Sequence, residues 1–327
     1  MTDSFAFLVI TLIIILGFEA VNGWTDAPNA IATVVSTRVL KPSTAVVLAA
    51  VFNLLGALSG TAVATTIGKG IVDLNVVTLE TVAAAALSVI IWSSLAAYFG
   101  LPTSESHGIV AGIAGAGVAV GGTDVLLWSG WQKVFTGLGV AVTGGFIGAF
   151  MLMFAITWAL RRASPTFTRR LFGPLQLGSA AFMAWSHGTA DGQKAMGVMA
   201  MALAIHYHRA FEVPIWVILL AATTMGLSTG LGGYRIIKTL GMRLTHLQPV
   251  HGFAAETAAA VTITVSARFG IPLSTTHTIG SAIMGVGATR RFSAVRWGIA
   301  QEILLAWVLT FPVCFALGFV ISLLIPG

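Results

Sequence analysis

A pattern stated twice governs what this chain can fold into. Residues 22 to 30 read Asn22-Gly23-Trp24-Thr25-Asp26-Ala27-Pro28-Asn29-Ala30, and residues 101 to 108 read Leu101-Pro102-Thr103-Ser104-Glu105-Ser106-His107-Gly108. Both return later, as His187-Gly188-Thr189-Ala190-Asp191-Gly192-Gln193-Lys194-Ala195 and as Ile271-Pro272-Leu273-Ser274-Thr275-Thr276-His277. The central aspartates stand 165 residues apart and the matched prolines 170. Two halves built on one plan follow from that spacing, and a repeat constrains the architecture before any local propensity does.

The solvent of those halves is set by charge. Only 9% of the 327 residues are charged and 57% are hydrophobic, against about 25% charged in soluble domains. The chain reads as an all-α polytopic membrane protein. A net charge of +6 would suggest nucleic acid in a soluble protein, but the basic residues fall in short loops between apolar runs, where they set orientation in the bilayer. Nucleic acid is therefore not an expected partner. The single Cys314 rules out an internal disulfide and a multi-cysteine metal site. The first apolar run, Phe5 to Gly17, follows Asp3 and no Lys or Arg, so it reads as a retained membrane segment rather than a signal sequence.

Twelve apolar segments are expected, six per half: 5 to 22, 27 to 38, 44 to 67, 78 to 99, 107 to 122 and 133 to 160, then 171 to 186, 190 to 206, 214 to 231, 250 to 269, 276 to 289 and 296 to 325. A full span needs about 20 residues. The second and fifth of each set fall short, and they are the segments that the repeated motifs introduce. Short segments in matching positions of two halves mark the binding site of a secondary transporter. The linker from Ala163 to Arg170 divides a first membrane repeat, 1–163, from a second, 171–327. Basic residues exchange loops between the halves: Arg38 and Lys41 follow the second segment of the first half, whereas Arg235, Lys238 and Arg243 follow the third of the second. Since basic loops stay inside, two inverted-topology repeats are expected, with broken helices and re-entrant hairpin-like segments.

Six of the eleven acidic residues, Glu19, Asp26, Glu105, Asp191, Glu256 and Glu302, lie in or beside apolar segments. An Asp at the centre of a membrane helix costs about 2.5–3.5 kcal/mol on insertion scales, so it normally faces a partner or an aqueous cavity. Gly23 and Pro28 around Asp26, and Gly188 and Gly192 around Asp191, are expected to interrupt their helices. Freed carbonyls and the carboxylates would then hold a cation or proton. After Pro102 and Pro272, the hydroxyls of Ser104, Ser106, Ser274, Thr275 and Thr276 stand where short helices begin. There they serve either as N-caps or as donors to a tetrahedral oxyanion.

The two aspartate motifs and the two Pro-x-Ser-x-x-His motifs resemble the inorganic phosphate transporter (PiT) family. The stretch Ser186-His187-Gly188 through Gly197 resembles its bacterial low-affinity phosphate permease branch. That resemblance implies an inverted-repeat symporter, not an enzyme, carrying phosphate between hairpin-like elements. Matched residue by residue, it gives the cation or proton role to Asp26, Asn29 and Asp191, and the anion role to Ser104, Ser106, Ser274, Thr275 and Thr276. No cofactor is implied beyond a coupling H+ or Na+.

Three departures stand out. The Asn that the family places before each Asp is missing here, replaced by Thr25 and Ala190. Lys194 stands where many relatives carry a second Asn, and its ammonium competes with sodium while favouring an arriving anion, so it joins the anion set. Glu105 stands where a hydroxyl residue is usual; it points away, pairs with Lys194 or exchanges a proton. The expectation is a multi-pass protein of the cytoplasmic (inner) membrane importing phosphate with protons. A sulfate permease of the same family, or a sodium-coupled symporter with sodium at Asp26 and Asn29, are the alternatives. An intramembrane hydrolase would need one nucleophile rather than a duplicated motif, and a passive channel would need no intramembrane carboxylates. The histidines show no metal-binding spacing, so hydrogen-bonded structural roles are expected for His107, His187 and His277. Partners are the oxyanion and the lipid bilayer, with a homo-oligomer left open.

Overall fold

The computed structural model describes residues 4–231 and 234–325. Its helices are α1 (Phe5–Ser36), α2 (Pro42–Ala57), α3 (Ala62–Gly70), α4 (Leu79–Phe99), α5 (Glu105–Gly121), α6 (Trp128–Ala159), α7 (Pro165–Tyr207), α8 (Ile215–Ser228), α9 (Tyr234–Lys238), α10 (Pro249–Arg268), α11 (Thr275–Arg290) and α12 (Trp297–Leu324). The two halves share one element order, α1–α6 and α7–α12. Helices α1, α4, α6 and α12 are long and apolar enough to cross a membrane. Two helix pairs reach that length and hydropathy only together and are sharply bent, as a broken span or a re-entrant loop would be: α2 and α3 meet at 69°, and Ile215–Leu231 meets Arg235–Arg243 at the same angle.

The breaks are not where the glycines and proline of the aspartate motifs suggest. α1 runs unbroken through Asp26 and Pro28, and α7 through Gly188, Asp191 and Gly192. The expected segments 5 to 22 and 27 to 38 are thus one helix, as are 171 to 186 and 190 to 206, and residues 165–170 of the expected linker already belong to α7. The glycines are there for close approach. A Cβ on Gly188 would stand 2.1 Å from Asn53 O of α2, and one on Gly23 would stand 1.9 Å from Ser228 Oγ of α8. Pro28 costs its helix one donor, a defect that neighbouring helices make tolerable in a membrane protein.

Irregular backbone falls instead at two hairpin elbows. α4 ends at Gly100 (φ +72°) and α10 is followed by Gly270 (φ +63°), both in the left-handed region that side-chain-bearing residues avoid. From each elbow a short extended stretch leads into α5 or α11, capped by Ser104 or Ser274, whose hydroxyls accept the backbone N–H of His107 (3.3 Å) and His277 (3.2 Å). Each elbow carbonyl is tied to the other half. Thr66 Oγ1 of α3 donates to Gly270 O at 2.7 Å, and Thr239 Oγ1 donates to Gly100 O at 2.9 Å.

The tips of the two hairpins meet. The rings of His107 and His277 lie 4.7 Å apart, and Ser106 Oγ donates to Leu273 O at 3.0 Å. Helix α6 starts beyond the far end of α5, passes the second tip where Gly137 meets Pro272, and continues along α11, where Gly145 meets Thr278. Helix α12 does the reverse. It starts beyond the far end of α11, passes the first tip where Trp307 Nε1 donates to Pro102 O, and continues along α5, where Gly318 meets Gly112. The two long helices therefore run in opposite senses past one common centre. Each of the two apolar clusters also draws on both halves: Ala141 with Ile283 in one, Ile109 with Met196 in the other.

Candidate functional site

At that centre the unbroken helices α1 and α7 supply charge, and the hairpin tips supply hydroxyls. On α1, Asn29 Nδ2 donates to Asp26 Oδ1 at 2.6 Å, one turn away. The tip of α11 joins them: Thr276 Oγ1 lies 2.8 Å from Asp26 Oδ1 and accepts from Asn29 Nδ2 at 2.8 Å. On α7, Lys194 Nζ stands 3.0 Å from Asp191 Oδ2 and reaches across to within 3.8 Å of Asp26 Oδ2. Thr275 Oγ1 donates to Asp191 Oδ2 at 3.1 Å. All of these side chains are buried, Lys194 being only 1% exposed.

Two of the three alternatives for Glu105 are thereby separated. The side chain is buried and turns to α1, where Oε1 accepts from Thr25 Oγ1 at 2.8 Å. Lys194 pairs with the two aspartates and not with Glu105. The expected same-face pairing of Asp191 and Lys194 is present.

His187 enters the site as well, beyond the structural role expected of it. Its Nε2 is 3.3 Å from Asp191 Oδ2, one turn along α7, and its Nδ1 is 3.1 Å from Asn53 Oδ1. Asn53 Nδ2 in turn donates to Thr229 Oγ1 at 3.1 Å. Because Thr229 Oγ1 spends its own proton on Met225 O (2.8 Å), it accepts from Asn53, and this orients the Asn53 amide. Sequence reading missed Asn53, which carries no motif, gave Thr25 no role beyond filling the place of the Asn before Asp26, and undervalued His187. The usable clue was spacing, since His187, Asp191 and Lys194 fall four and three apart, on one helical face.

One oxygen each from Asp26 and Asp191 and a ring nitrogen of His187 lie within 4.8 Å of one another, close enough for a metal ion. Lys194 Nζ already serves those carboxylates, so the cluster has its cation. For sodium, the remaining oxygens are Asp26 Oδ2 and Asn29 Oδ1, both without a hydrogen-bonding partner. Glu105 Oε2 and Asp191 Oδ1 are also buried and receive no hydrogen bond. A buried polar group left unpaired costs about 1–3 kcal/mol, and several converging at one centre are the mark of a binding site rather than a core.

Farther along α1, Glu256 of α10 accepts from Thr33 Oγ1 at 2.5 Å, from Gln176 Nε2 at 3.1 Å and from Ser179. This fully hydrogen-bonded acid is one of the six picked out by sequence. It joins α1, α7 and α10 beside the site and not in it.

Comparison with known proteins agrees with the duplication. The profile of the family described as "Phosphate transporter family" matches residues 22–168 and again 160–318. A protein of Rhizobium meliloti described as "Probable low-affinity inorganic phosphate transporter" is 42% identical over 314 residues, covering 95% of this chain and 94% of its own. One of Bacillus subtilis with the same description is 40% identical over 320 residues, covering 95% and 96%. A solved structure titled "The sodium-dependent phosphate transporter" superposes with a TM-score of 0.88 at 22% identity, covering 99% of both chains. At that identity it speaks for the fold.

Proposed function

This chain belongs to the phosphate transporter family, and we propose that it imports inorganic phosphate together with a proton across the cytoplasmic membrane of its cell. The observation that carries the coupling is Lys194, whose ammonium lies 3.0 Å from one aspartate and 3.8 Å from the other. One ammonium offsets one carboxylate, so the second needs a further positive charge while it is buried. A proton on Asp26 supplies it. Protonation removes one negative charge from the site and leaves Lys194 shared with Asp191 alone, so an arriving anion meets less repulsion, and loading the proton and loading phosphate favour each other.

The anion contacts fall to the hairpin tips. Ser104 and Ser274 accept backbone N–H groups as caps, yet each hydroxyl keeps its own proton for a phosphate oxygen. Ser106, Thr275 and Thr276 complete the set once they release the acceptors they serve in this structure, Leu273 O, Asp191 and Asp26, with the first backbone N–H groups of α5 and α11 as further donors. Helices α6 and α12, running oppositely past these tips, support halves inverted in the membrane, the arrangement by which one central site is exposed to either side in turn.

Sodium coupling is the second reading, favoured by the unpartnered oxygens of Asp26 and Asn29. Uptake of labelled phosphate into proteoliposomes tests both. An inward proton gradient without sodium is expected to drive accumulation; stimulation by a sodium gradient at equal pH, with no response to protons, would favour the second reading.

A further inference from the structure

The oxyanion site contains a carboxylate where an anion is to bind. Glu105 is the first residue of α5, next to the capping Ser104, and its counterpart 170 residues on is the hydroxyl residue Thr275. Its geometry is defined at one oxygen only. Thr25 Oγ1 donates to Oε1, and this costs α1 nothing, since the hydroxyl's other contact, Val21 O, belongs to the helix's own hydrogen-bond ladder. Oε2 receives no donor, the residue is 1% exposed, among the described residues no Lys, Arg or His forms an ion pair with it, and its titratable neighbour is the Asp26 carboxyl of α1, within hydrogen-bonding reach. A buried acceptor of this kind, between Ser104 and Ser106 on the same tip, is a poor structural choice and a good reader of protons.

A carboxylate oxygen accepts hydrogen bonds and donates none. Beside it a tetrahedral anion is tolerated on one condition, that the anion brings a hydroxyl to point at it. Near neutral pH phosphate carries one or two such protons and sulfate none; arsenate and selenate repeat that contrast at a slightly larger size. We propose that Glu105 restricts the site to tetrahedral oxyanions bearing a hydroxyl, through a hydrogen bond from the substrate O–H to Glu105 Oε2. The inference rests on the oxyanion reading of the hairpin tips, and it answers what separates phosphate from sulfate in a site whose other donors suit both.

Sites that hydrogen-bond a substrate hydroxyl reject analogues lacking it by about 10⁴–10⁵-fold. The test is binding of labelled phosphate to the purified full-length protein, with unlabelled phosphate, arsenate, sulfate and selenate as competitors. Arsenate is expected within about tenfold of phosphate, and sulfate and selenate at least about a thousandfold weaker. In Glu105→Gln the amide nitrogen donates, so the arsenate-to-selenate ratio should fall by at least about tenfold. Thr25→Val, which frees the carboxylate without removing it, should give an intermediate ratio and provides a second variant should the glutamine variant not fold. Selenate matching arsenate on the parental protein, or an unchanged ratio in the variants, overturns the role of Glu105. No phosphate binding by the parental protein would refute the oxyanion reading itself.

Discussion

Removing the Lys194 ammonium is the sharpest perturbation the structure offers. Lys194→Met keeps most of the side-chain volume and leaves Asp26 and Asp191 facing each other without a cation, in a site where Lys194 is 1% exposed and both aspartates are buried. Breaking a buried pair by deleting one partner costs about 3–5 kcal/mol. Deleting Asp191 by Asp191→Asn should cost less, because Lys194 retains Asp26 at 3.8 Å. Asp26→Asn should cost less still, since the 3.0 Å contact survives. The double variant Lys194→Met with Asp191→Asn removes one charge of each sign and should be more stable than Lys194→Met alone. Thermal unfolding of the purified protein in detergent, read as a double-mutant cycle, measures this ordering. A coupling energy below about 0.5 kcal/mol, the scatter for independent sites, would refute the idea that the ammonium holds the two carboxylates together.

Asp26→Asn and Asp191→Asn should each abolish proton-driven phosphate uptake while the protein stays folded, which uptake assays paired with size-exclusion chromatography will show. Lys194→Asn removes the ammonium and leaves space beside the carboxylates it served, so uptake should acquire stimulation by sodium; uptake indifferent to sodium would count against Lys194 as the built-in cation. Loss of one hydrogen bond to a charged group costs about 1.5–3 kcal/mol, so Ser274→Ala and Thr275→Val should each weaken apparent phosphate affinity about ten- to a hundredfold, and unchanged affinity in both would make these hydroxyls caps and struts only. Gly115→Ala should be destabilising by about 1–3 kcal/mol, although Ala is the better helix former by up to about 1 kcal/mol: its Cβ would stand 2.0 Å from Phe315 O, a backbone atom that cannot rotate away. A melting temperature at or above the parental value would show that α12 can retreat.

The duplication, the apolar segments, the short hairpin helices and the carboxylates were legible in the sequence because each leaves a compositional trace. The course of α1 was harder to read. Gly23 and Pro28 argue for a break by local propensity, yet Glu19, Asn22, Asp26, Asn29 and Thr33 fall three and four apart, on one face of a continuous helix. That periodicity outranks the propensity, because the glycine serves contact with α8 and the membrane context makes the lost donor at Pro28 bearable. The bends between α2 and α3 and after α8 fall at Ser59-Gly60 and Gly230, turn signals inside runs that otherwise read as one apolar segment each. Asn53 was invisible for a different reason: its partners His187 and Thr229 are 134 and 176 residues away in sequence, and tertiary packing alone brings them together.

An unbroken helix at the centre has a consequence for how the two loads are divided. Inside a continuous helix the backbone donors and acceptors are spent on one another, save the Trp24 carbonyl whose donor Pro28 removes, so α1 and α7 offer the site mainly side chains, chiefly Asp26 and Asp191 with Lys194 and His187. The hairpin tips start new helices, whose first N–H groups are free for an anion. In the proposed proton-coupled cycle, proton and oxyanion are thus served by different kinds of element, and they meet at few points. One of these is the Thr276 hydroxyl, which donates to Asp26 Oδ1 at 2.8 Å across the two halves. A hydrogen bond to an ionised carboxylate is roughly twice as strong as one to a neutral group. While Asp26 is charged, it therefore holds the proton of Thr276 and pins the α11 tip to α1. Once Asp26 is protonated, that hold weakens and the Thr276 proton becomes available to an oxyanion at the tip. On this account the coupling needs no long-range relay, because one hydroxyl answers to both substrates.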